Sequence, residues 1–115
     1  MAFRLRDKAG ATVWAGGTKR EADGRTRVFR ENEVTWTAVR LWKSPRTGVS
    51  YPVAMRFTAG GEAWTLEPLL DDQELDSRAS TGTLYWEGAV RASGPDGAKG
   101  SGYLELTGYG RALAF

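Results

Sequence analysis

The sequence contains no cysteine and no histidine. Disulfide frameworks, thiol nucleophiles, Ser-His-Asp and Cys-His relays and ordinary zinc sites are therefore excluded. No run approaches the roughly 20 apolar residues of a membrane-spanning helix. The start, Met1-Ala2-Phe3-Arg4-Leu5-Arg6-Asp7-Lys8, carries charges where a secretory leader needs an apolar stretch. The chain as given is expected to be cytoplasmic, or secreted or periplasmic if a signal and an N-terminal domain were removed. Long helical stripes are missing as well, which leaves little room for helices.

What is present points to strands. The 115 residues suit one domain spanning 1–115, long enough to bury a core without covalent staples. Apolar and aromatic residues alternate with polar ones in short runs, each ending at a Gly, Pro, Asn or Asp cluster. Strands are expected near residues 2–7, 11–20, 25–30, 34–43, 50–58, 62–69, 83–92 and 102–109. Turns are expected at Lys8-Ala9-Gly10, Ala22-Asp23-Gly24, Ser44-Pro45-Arg46-Thr47-Gly48, Ala59-Gly60-Gly61 and Ser93-Gly94-Pro95-Asp96-Gly97. The stretch 69–80 lacks two-residue alternation, so an irregular or short-strand connection is expected there. Eight short antiparallel strands favour a closed barrel or a sandwich.

Net charge is +2. Residues 1–30 hold eight basic and three acidic side chains, whereas 31–115 hold eight and eleven. The basic residues alternate with apolar ones, which suits a solvated strand face and speaks against a nucleic-acid module. Five tryptophans support an aromatic interior. Trp36, Trp42, Tyr51, Trp64, Trp86 and Tyr109 are the candidate ligand-binding residues, and the same side chains would serve equally as plain core. Asp71-Asp72-Gln73-Glu74 lacks glycine-pivoted cation-loop spacing and is taken as a solvated acidic turn. No metal site and no cofactor are expected.

Several stretches carry a family resemblance: Trp42-Lys43-Ser44-Pro45 with Thr47-Gly48 and Tyr51-Pro52, Leu66-Glu67-Pro68-Leu69, Gln73-Glu74-Leu75, Tyr85-Trp86-Glu87-Gly88, and Gly102-Tyr103-Leu104-Glu105-Leu106-Thr107-Gly108-Tyr109. In order and spacing, from about residue 3 onward, the chain resembles the C-terminal half of the hydroxyneurosporene synthase-like proteins. These are the carotenoid hydratase group and its predicted secreted hydrolase relatives. The resemblance implies a lipocalin-like (calycin) antiparallel barrel, one of two in tandem, and binding or transformation of apolar molecules. The family's preceding domain is absent from this sequence, and a homodimer is expected to cover the face that domain would occupy.

Period-two alternation places Tyr85, Glu87 and Ala89 on one side of their strand and Tyr103, Glu105, Thr107 and Tyr109 on one side of the next. Leu84, Trp86 and Val90, with Leu104 and Leu106, take the other sides. With the tyrosine and carboxylate surface lining the lumen, Glu87 and Glu105 would be neighbours in an apolar cavity. One would then keep its proton near neutral pH and act as a general acid. Tyr85 and Tyr103 complete the candidate catalytic set. The leading expectation is a domain binding a small apolar or aromatic ligand in the lumen. The alternative is a cofactor-independent hydratase, isomerase or hydrolase using this Glu/Tyr chemistry.

Overall fold

A computed structural model describes residues 1–110. Nine strands form two antiparallel sheets, and no α-helix occurs among the described residues. β1 (Ala2–Arg6), β2 (Thr12–Arg20) and β3 (Thr26–Phe29) make the small sheet in the order β1-β2-β3. The large sheet contains β4 (Val34–Lys43), β5 (Ser50–Ala59), β6 (Glu62–Pro68), β7 (Glu74–Ser77), β8 (Thr83–Ser93) and β9 (Lys99–Thr107). β4, β5, β6 and β8 run side by side, and β9 covers one edge of β8. The opposite edge of β8 is shared: β6 pairs with Val90 to Ser93 and β7 with Thr83 to Trp86.

Local chemistry accounts for the hairpins. Ala59 pairs with Glu62 around Gly60-Gly61, and both glycines have positive φ, the requirement of a tight primed turn. A side chain at Gly60 would also lie 2.5 Å from the Phe29 ring. In β4 the register slips on either side of Arg40. Pro52, which has no N–H to donate, falls opposite this irregular stretch. Such bulges re-aim side chains, and Arg40 reaches Asp71 at 2.9 Å and Glu67 at 2.6 Å.

The inward face of the large sheet carries the core: Tyr51, Val53, Met55, Leu66, Trp86, Val90, Leu104 and Leu106. A second cluster of Phe29, Val34 and Ala59, with Ala2, Trp36 and Phe57 against it, joins the small sheet to the large one. Fully burying an aliphatic or aromatic side chain contributes about 1.5–3 kcal/mol, so the first cluster stabilises the large sheet and the second ties the small sheet to it.

The expected all-β antiparallel architecture is present, but among the described residues neither sheet closes on itself into a barrel. No ladder joins β3 to β4 or β1 to β9. β1 instead reaches the large sheet through side chains, with Arg4 donating to the Trp36 carbonyl and Arg6 to the Thr107 carbonyl, both at 3.4 Å.

Candidate functional site

Between the sheets lies an open cleft of about 1530 Å³. One wall is the inward face of the large sheet, where Trp36 stacks on Phe57 at 5.1 Å and Met55, Leu66, Val90 and Leu106 continue the apolar surface. The other wall is β1, and β9 forms the far rim. Trp36 Nε1 is buried and has no hydrogen-bond partner among the described residues.

Of the six aromatic candidates, Trp36, Trp64 and Tyr109 line this cleft. Trp42, Tyr51 and Trp86 pack in the core beneath it. Trp86 is wholly buried, and its Nε1 donates to the Asp71 carbonyl at 2.7 Å. Met55, Phe57 and Leu66 were not among the candidates. Two-residue alternation along the strand from Tyr51 points to Met55 and Phe57, four and six residues further on.

The β8–β9 pair has the register the alternation implies. Glu87 stands directly opposite Glu105, Tyr85 opposite Thr107 and Ala89 opposite Tyr103. The expected orientation is corrected, however. Trp86, Val90, Leu104 and Leu106 face the core, whereas Tyr103 is 68% exposed on the reverse side and Glu105 is exposed. Tyr85 and Glu87 are half-buried. Partial desolvation and the neighbouring Glu87 carboxylate push the Tyr103 phenol up from its ordinary value. The aliphatic face turns inward because it removes the more hydrophobic surface from water.

The acidic segment is not a solvated turn but a latch. The Gln73 side chain acts as an extra peptide group in the gap between β6 and β7, accepting from Ala89 N–H at 3.1 Å and donating to Ala89 C=O at 3.3 Å. Gly88 leaves room for it: a Cβ there would fall 2.0 Å from the Gln73 amide carbon. The next residue, Glu74, has a side chain 1% exposed. Its carboxylate accepts from Ser44 Oγ and Thr47 Oγ1, both at 2.7 Å. Burial alone would push this acid up, but the two hydroxyls, Tyr51 and the Arg46 charge outweigh it and hold Glu74 below its usual value. Burial, then the Glu74 carboxylate, push the Tyr51 phenol up. Asp72 pairs with Arg46, and Asp71 with Arg40. Ser44-Pro45-Arg46-Thr47-Gly48 is thus a turn, as expected, and one that clamps β7. No cluster of metal-ligating side chains occurs among the described residues.

The AttH-like family model matches residues 1–109. The chain belongs to the AttH-like family. A crystal structure described as that of an AttH from Nitrosomonas europaea superposes with a TM-score of 0.90 at 48% sequence identity, covering 94% of this chain and 33% of that one. The chain therefore spans about one third of the length of that AttH protein. No curated protein matches it. The latch uses residues from the stretches that carried the family resemblance, so in this AttH-like chain those motifs have a structural role: they seat β7 and the β4–β5 turn.

Proposed function

We propose that the 115-residue chain is a ligand-binding unit of lipocalin-like type whose cleft takes a small apolar or aromatic molecule. The observation that carries this is an apolar sheet face, with the stacked Trp36–Phe57 pair at its centre, left open to solvent along one side. Ligand sites are concave, largely apolar and supplied with few polar groups, and the wall of this cleft is built mainly of apolar side chains. The resemblance to the carotenoid hydratase group favours isoprenoid ligands. Titrating the chain with terpenoid, fatty-acyl and aromatic-ester compounds while following tryptophan fluorescence tests the reading. Saturable quenching that Trp36→Ala abolishes supports it, and a flat response to all three classes overturns it.

The outward face of the small sheet carries Leu5, Trp14 and Val28, all more than half exposed or nearly so. In a chain spanning one third of its relative, such a face suits a second copy, and we propose a homodimer there. Sedimentation velocity showing monomer alone at high micromolar concentration counts against it. The enzymatic alternative keeps Glu87, Glu105, Tyr85 and Tyr103 as its acid–base set, favoured by the cross-strand pairing of the two glutamates. An activity unchanged in Glu87→Gln and Glu105→Gln removes that alternative.

A further inference from the structure

Resting on the cleft as a binding site, the structure assigns it an occupant of more specific chemistry: we infer that it takes an amphipathic carboxylate, apolar tail along Trp36 and Phe57, head group on Arg4 and Arg6. The two arginines are alternate residues of β1, so both side chains project from the face turned toward the large sheet, about 7 Å apart along the strand. Both are half-buried and line the cleft. Each donates to one main-chain carbonyl at 3.4 Å, and neither has a carboxylate within ion-pairing distance among the described residues. Arg6 also lies 4.0 Å above the Tyr109 ring.

The acids along the cleft are otherwise engaged or turned away. Glu62 is held by Lys19 at 2.9 Å, Asp7 accepts the turn amides of Ala9 and Ala11, and Glu105 lies on the exposed reverse side of β9. Two guanidiniums with spare donors therefore sit at the edge of an apolar trough with no ion-pair partner among the described residues. A guanidinium half-removed from water gains most from a planar anion that it can grip with two parallel N–H groups. Charge complementarity selects an anion, and the apolar wall selects an aliphatic tail.

Calorimetric titration of the chain with decanoate and with decanol, at slightly alkaline pH and below micelle-forming concentrations, tests this. Decanoate is expected to bind about tenfold tighter than decanol, the effect of one net charge-assisted hydrogen bond. The Arg4→Gln/Arg6→Gln variant should lose that preference while still binding decanol, and Arg4→Lys/Arg6→Lys should keep part of it. Equal affinities, or a preference that survives Arg4→Gln/Arg6→Gln, overturn the head-group assignment and leave the apolar cleft standing. Failure of both ligands to bind removes the cleft reading and this one with it. If the double glutamine variant does not fold, salt decides. The decanoate advantage in the native chain must shrink as ionic strength rises, and a salt-independent advantage overturns the assignment.

Discussion

Replacing Gly88 by alanine puts a methyl group where the Gln73 amide now lies, 2.0 Å from its carbon. The amide must leave, and with it go the bonds to the N–H and C=O of Ala89 and to the Leu70 carbonyl. Each such bond is worth about 0.5–1.5 kcal/mol net, and a partly buried amide left unpaired costs about 1–3 kcal/mol. Gln73→Ala is therefore expected to destabilise by about 2–3 kcal/mol. Gly88→Ala should cost about 3–4 kcal/mol, because displacement strain is added to the same losses. In Gln73→Ala/Gly88→Ala the methyl meets no amide, so the double variant should cost little more than Gln73→Ala alone. The coupling energy is then about 3 kcal/mol, large for a neighbouring pair. Urea unfolding followed by tryptophan fluorescence and circular dichroism measures all four corners of the cycle. Costs that add to within about 0.5 kcal/mol mean that Gly88 and Gln73 act independently, which refutes the latch.

Glu74→Gln should destabilise by about 1–3 kcal/mol at neutral pH, since an amide cannot accept from both Ser44 and Thr47 through like oxygens. The folded-state value of Glu74 lies below the ordinary 4.5, so its contribution is complete above 4.5 and is lost as pH falls through the depressed value. The stability gap between native chain and Glu74→Gln must therefore narrow on acidification, as unfolding curves from pH 7 downward will check. Glu105→Gln removes a like charge directly across from Glu87 and should stabilise by about 0.2–0.5 kcal/mol, measurably more at low salt than at high. Gly60→Ala requires an alanine at φ +56° with its methyl 2.5 Å from the Phe29 ring. It should cost about 2 kcal/mol or more, read as a lowered urea midpoint.

Local periodicity made much of the architecture legible. The alternation in residues 34–43 and 62–69, and the glycine pairs and clusters between runs, placed strands and turns within a residue or two of β4 and β6. Tolerances were wider at β9, which begins at Lys99 and ends at Thr107, short of Tyr109. That Glu87 and Glu105 share a face was legible too, because like faces must stay together, whereas their direct opposition was not, since a two-residue shift would keep the same faces. The role of Gln73 was not legible: nothing local says that a side-chain amide will stand in for a peptide group in a gap between two strands sixteen residues from its partner.

The sequence by itself determined that the chain is built of antiparallel strands with two chemically different faces, since side chains alternate across any strand whatever packs against it. It also ruled out thiol, imidazole and ordinary zinc chemistry. Tertiary structure alone decided which face is inside, whether the sheets close, and what the acids of residues 71–74 hold. Those outcomes depend on contacts between distant segments: Phe29 against Ala59, Arg6 on the Thr107 carbonyl, Ser44 on Glu74. Pattern within a strand records its own two sides; it carries no term for the surface that another part of the chain will offer them.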